Sequence, residues 1–283
     1  MTTTISNLNL TAQINHFGAE LFSLQNKDNK EYIWEGNPVF WGKHSPVLFP
    51  IVGTLKNNSF HYEGREHHLP RHGFARDMEF ELSTKSENSA TFSLTSSEES
   101  RKVYPFDFEL QINYTLENNN LSIRYKVINT GNTAMPFSIG AHPALALPGD
   151  FEEYSIAFEK DEPLVYHLLE KDLISDITEI LEVENKQLNL NYQLFDNDAL
   201  IFKSLQSDSL TINKNGNPLL KVNYEDFPHL GIWTKINAPF ICIEPWFGYS
   251  DSVESTGDLF EKEGIQVLNP NGTFNAKFSL EIL

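Results

Sequence analysis

The sequence predicts an all-β protein of many antiparallel strands, packed as two large sheets. Three observations carry this. Phe108, Leu110, Ile112, Tyr114 and Leu116 alternate with polar residues, Asn118-Asn119-Asn120 makes a turn, and Leu121, Ile123, Tyr125 and Val127 alternate again. Period two, a turn and period two again describe a hairpin with one wet face. Short segments of similar character recur along the rest of the chain, separated by polar turn residues. No stretch has the length and 3.6-residue period of a main helix. Nothing in composition, repeats or linkers divides the 283 residues. One domain over 1–283 is expected, since all-β chains of this size are often undivided.

Taken in order, residues 5–14, 20–24 and 32–34 read as strands, with a polar turn at 26–30. Pro46 to Gly53 is an apolar run with proline near each end, too proline-rich for a central strand, and reads as an irregular buried segment lining something. Residues 56–69 form a polar hairpin with Glu63-Gly64 at its turn. His61, His67 and His68 lie along it, but their spacing fits no usual zinc pattern. The hairpin at 108–127 follows. Beyond residue 149, strands are expected at 154–158, 164–168, 199–202, 210–212, 219–222, 231–234 and 240–244. Helical turns are expected near 170–177 and 252–263. Alternation over 274–283 closes the fold.

Composition narrows the function. Apolar residues make up 40% and phenylalanine alone contributes 21, enough for a large core. The formal charge of −18 repels phosphate backbones and anionic lipid, which disfavours nucleic acid and membrane surfaces as partners. No run approaches the roughly 18 apolar residues of a membrane span. The N-terminus lacks the basic and apolar regions of a signal peptide. A single cysteine, Cys242, excludes an intrachain disulfide and sits between isoleucines as a buried thiol. A cytoplasmic protein is expected.

Two residues stand out chemically. His142 lies between Ala141 and Pro143 in an apolar stretch punctuated by glycine and proline. It reads either as a half-buried histidine satisfied by a carbonyl or as a working group. Glu244 ends a run of four apolar residues and, on a strand, shares a face with Phe240 and Cys242. A carboxylate there must be paired or used, and desolvation makes it a better base near neutrality. Arg71 and Arg76 are its candidate partners, in a loop where His72-Gly73 needs an open backbone. Trp246 offers a flat face, for a sugar ring or for the core. Phosphate-binding glycine loops, GxSxG and CxxC are absent, so no nucleotide cofactor is indicated. One histidine and one carboxylate in apolar settings suggest proton shuttling.

The segments SPVLFPIVGTLKNN from Ser45, LPRHGFARD from Leu69, FSIGAHPALALP from Phe137, NDALIF from Asn197, FPHLGIWT from Phe227 and ICIEPWFGYSD from Ile241 occur in this order. Together they resemble the aldose 1-epimerase (mutarotase) family, in its branch of LacX-type and hexose-6-phosphate epimerase relatives. The resemblance implies a galactose mutarotase-like β-supersandwich of large antiparallel sheets. It implies His142 as general acid and Glu244 as general base, on opposite sides of the sugar. It places His72 as a second site histidine, Arg76 and Asp198 on sugar hydroxyls, and Arg71 adjacent. No metal or cofactor is implied. The partner is a small sugar, hexose or hexose phosphate, and the chain is a monomer or homodimer. The sequence departs from many relatives at Thr54, where they carry an arginine. A non-catalytic carbohydrate-binding protein and a two-carboxylate glycosidase are the competing classes. The second needs another carboxylate in an apolar setting.

Overall fold

Strand alternation turns directly into sheet faces. The computed structural model describes residues 1–181, 183 and 185–283. Among them, nine antiparallel strands form one sheet, running from Gln187–Asn189 at one edge to Glu81–Lys85 at the other. Its middle holds Thr273–Ile282, Asn120–Asn129 and Phe108–Glu117 side by side. The expected hairpin is there, with Leu121 opposite Leu116 and Val127 opposite Leu110. Every second residue of Phe108–Glu117 is buried, so one face joins the core and the other meets water.

A second sheet of eight strands packs its inner face on the same core. Its path runs Leu173–Leu181, Leu164–Glu170, Leu200–Phe202, His229–Trp233, Phe240–Phe247, Ile139–Ala141 and Val47–Leu48, with Ala144–Ala146 also beside Phe240–Phe247. Phe240–Phe247 is buried on both faces. Ile241 and Ile243 enter the main core with Leu110, Ile123 and Leu280 of the larger sheet. Phe240, Cys242 and Trp246 turn the other way, into smaller apolar clusters. Period two therefore sends Glu244 to that second face, away from the main core. Smaller sheets complete the fold, among them the Ser59–Tyr62 and Arg65–His68 hairpin, whose turn at Glu63 and Gly64 is as expected.

Several expectations need correction. Residues 5–14 form two strands, Thr2–Ser6 and Leu10–Asn15, because the Asn7 side chain accepts from the amides of Asn9 and Leu10 and turns the chain. The helical turn expected at 170–177 is a hairpin. Lys171 and Asp172 both take positive φ, 51° and 69°, and feed the strand Leu173–Leu181. A two-residue turn of this kind usually advertises itself with glycine, and here it does not. Residues 252–263 make successive turns without a helix. The α-helix that does form, Glu98–Val103, is capped by Ser97 and Ser100 reciprocally, with acids in its first turn and Arg101 and Lys102 in its last. That capping signal is present in the sequence but is only six residues long. No helix among the described residues is long and apolar enough to cross a membrane.

Candidate active site

The strand Phe240–Phe247 builds the site. Ile139–Ala141 and Ala144–Ala146 pair with it in one register: Gly140 lies opposite Trp246 and Ala144 opposite Cys242. Extended through the gap, that register puts His142 opposite Glu244 on the same face. Pro143 cannot donate to the ladder, which accounts for the interruption. The side chains meet accordingly, with His142 Nε2 3.3 Å from Glu244 Oε2. The two residues are 8% and 1% exposed.

Burial decides the charge of this pair. Desolvation pushes His142 down to about 3, helped by Arg76 and Arg71 and opposed by a backbone hydrogen bond. Desolvation also holds Glu244 well above the usual carboxylate range, more than offsetting the pull of Arg71. Burial therefore favours the uncharged form of both partners, the acid on Glu244 and the neutral imidazole on His142. Histidine's ordinary pKa near 6.5 does not apply here. The side chain that meets Glu244 is His142 and neither of the candidate arginines. Arg71 instead faces Asp172 at 3.2 Å and Asp198 at 3.8 Å. Arg76 donates to the Arg71 carbonyl at 2.8 Å and stands 3.6 Å from Asp77.

One cavity of about 490 Å³ gathers every candidate: Arg71, His72, Arg76, His142, Asp198, Glu244 and Trp246 all line it. Its size suits a monosaccharide. His72 is buried, its Nδ1 accepts from the Gly53 amide at 3.1 Å and its Nε2 faces Arg71 Nε at 3.3 Å. Burial first, then His142 and the two arginines, hold its pKa well below 6.5, so it stays neutral. Two of these residues are held in the left-handed region, His72 at φ 69° and Asp198 at φ 76°. Such strain persists where the surroundings over-determine the backbone, and it gathers at functional sites. Trp246 is only 4% exposed. Its indole lies over Gly140 and Gly231 of the flanking strands, where an added Cβ would stand 2.5 and 2.4 Å from the ring. Its Nε1 donates to the Ala141 carbonyl at 3.2 Å. Trp246 thus forms a largely buried part of the cavity floor, spread across the flanking strands.

The aromatic wall was not legible in the sequence. Trp41 stacks on His142 at 4.8 Å and 24°, and Trp233 meets the same ring edge-on at 5.8 Å. Both line the cavity with Phe40 and Phe195. Trp41 follows the turn at residues 38–40, and only tertiary packing brings it over the imidazole. Thr54 lines a neighbouring cavity together with Lys56 and Arg71. Its amide donates to Ser250 Oγ at 3.0 Å, and its hydroxyl is buried without a partner among the described residues.

The chain matches the profile of the family described as Aldose 1-epimerase over residues 1–263. It is 36% identical to Protein LacX (plasmid) of Lactococcus lactis subsp. lactis over 299 aligned positions, covering all of both chains. A galactose mutarotase related enzyme from Lactobacillus acidophilus superposes with a TM-score of 0.95 at 35% identity, covering 100% of this chain and 97% of the other. A galactose mutarotase-like protein from Lactobacillus casei ATCC 334 gives 0.93 at 30% identity, with both chains fully covered. The β-supersandwich of large antiparallel sheets is therefore the fold. By profile, by sequence and by structure, the chain belongs to the aldose 1-epimerase family and is an isomerase of the epimerase, or mutarotase, type.

Proposed function

We propose that this protein interconverts the α and β anomers of a free hexose, with His142 and Glu244 moving the protons. The observation that carries the reading is their direct contact on the wall of a sugar-sized cavity. The expectation of acid and base on opposite sides of the substrate gives way to a different geometry. The anomeric hydroxyl and the ring oxygen share one carbon, so two adjacent groups can address both. Glu244 takes the proton of the anomeric hydroxyl, His142 delivers one to the ring oxygen, and the C1–ring-oxygen bond breaks. After rotation about C1–C2, the imidazole takes back the proton from the hydroxyl and Glu244 returns its own to the carbonyl oxygen. The ring closes on the other face and the pair is restored without outside protons.

The resting proton on Glu244 must first cross to His142. A sugar hydroxyl donating to the carboxylate stabilises the charged form, as does Arg71, and the 3.3 Å contact is the path. In this reading His72, Arg71, Arg76 and Asp198, which line the cavity, hold hydroxyls, and Trp41 and Trp233, packed on the imidazole, exclude water from it. A hexose 6-phosphate is the second reading, with Arg71 as its anchor because that side chain is 41% exposed. The free sugar is preferred, since the same guanidinium already faces two carboxylates.

Polarimetry on fresh α-glucose, α-galactose and glucose 6-phosphate tests the activity. Faster relaxation is expected for at least one free hexose. Uncatalysed rates for all three sugars would remove the proposal, and acceleration of the phosphate alone would select the second reading.

The pH dependence follows from the shifts. A second proton binds the pair only as pH falls toward the lowered value of His142, about 3. In chelator-treated buffer, kcat/KM is therefore expected to stay level from about pH 6.5 down to about pH 5, and to fall only below that. An acid limb centred near 6.5 would mean that His142 titrates as an ordinary imidazole.

A further inference from the structure

Cys242 lies outside the proton-moving pair but next to it. It is two residues before Glu244 on the same strand face, and opposite Ala144, two residues after His142. A nitrogen of His142, the sulfur of Cys242 and a carboxylate oxygen of Glu244 all lie within 4.8 Å of one another. The three residues are 8%, 0% and 1% exposed. Imidazole, thiolate and carboxylate are the donor types that bind zinc and its thiophilic relatives. We propose that His142, Cys242 and Glu244 form a binding site for a thiophilic divalent cation such as Zn²⁺ or Cd²⁺, and that the cation competes with the sugar.

Geometry and charge both support the site. Tetrahedral zinc with ligands at about 2.0–2.3 Å needs its donors roughly 3.3–3.7 Å apart. The histidine–carboxylate pair already stands at 3.3 Å, and the widest pair must close by about an ångström. The imidazole borders the cavity, which gives the ion a way in. A thiolate and a carboxylate cancel the two charges of the ion, so a neutral assembly occupies a buried site. Binding releases two protons, one from the thiol and one from the Glu244 acid, and no electron moves. Three protein ligands leave the fourth position facing the cavity, for water. The ion would occupy the imidazole nitrogen and carboxylate that the proposed turnover requires, which makes inhibition the consequence.

The test uses the intact protein with Cd²⁺ alone and Zn²⁺ alone, free of chelators and thiol reductants. Cd²⁺ is expected to produce a thiolate-to-metal charge-transfer band in the ultraviolet, absent from Cys242→Ala. Because that band reads the site without turnover, its outcome is independent of the mutarotase proposal. Zn²⁺ is expected to inhibit the native protein in competition with sugar, reversibly on adding EDTA. Cys242→Ala should keep metal-free turnover within about twofold and need at least tenfold more Zn²⁺ for half-inhibition. Cys242→Ser, closer in volume, covers the case in which the alanine variant fails to fold. No band at millimolar Cd²⁺, or equal zinc sensitivity in native and variant proteins, would overturn the site. A band without inhibition would overturn the competition.

Discussion

Glu244→Gln is expected to slow anomer interconversion at least ~100-fold, and His142→Asn by a similar factor, because each removes one of two positioned proton transfers. The glutamine variant is the sharper probe. It keeps the shape of a buried side chain whose uncharged form burial already favours, so folding should be little changed. What it loses is the ability to become a carboxylate. The double variant should be scarcely slower than either single one, since the two residues act as a unit. Initial rates by polarimetry or by NMR exchange between anomers measure this. Near-native rates in both single variants would show that protons pass through other groups, and the neutral His72 in the same cavity would be the next to test.

Lys262→Ala is expected to lower stability by about 3–5 kcal/mol. Lys262 and Asp251 form an ion pair at 2.9 Å with side chains 2% and 3% exposed. Removing the lysine leaves Asp251 charged in a dry site. The effect should extend to the cavity wall. The second oxygen of Asp251 accepts from the Lys56 amide and the Ser255 hydroxyl, its own amide donates to the Thr54 carbonyl, and neighbouring Ser250 holds the Thr54 amide. Urea unfolding measures the loss directly, and a melting temperature lower by roughly 10 °C should accompany it. Adding Asp251→Asn to Lys262→Met should recover more than half, because the buried charge is then gone from both sides. A loss under about 1 kcal/mol in Lys262→Ala would mean that water reaches Asp251 and screens it.

The strands that could be read in advance are those with one wet face. The pair Phe108–Glu117 and Asn120–Asn129 shows its alternation because half its residues meet solvent. Leu173–Leu181 resisted reading because its turn uses Lys171 and Asp172 where glycine or asparagine is usual. The site was legible in the same uneven way. Glu244 was conspicuous as a carboxylate in an apolar run, and the resemblance to a family supplied His72, Arg71, Arg76 and Asp198. Trp41 and Trp233 carried no such mark, since an aromatic beside a turn is commonplace and their use depends on what they pack against.

By itself the sequence determined that the chain would be antiparallel β, which strand faces would be dry, and that a histidine and a carboxylate would sit in apolar surroundings. Periodicity and composition are local properties and can be counted along the chain. The tertiary structure decided the rest: the common register that sets His142 opposite Glu244, the 3.3 Å contact between them, and the sulfur of Cys242 beside them. Each of these depends on strands about a hundred residues apart lying side by side, and on the desolvation that follows when they do.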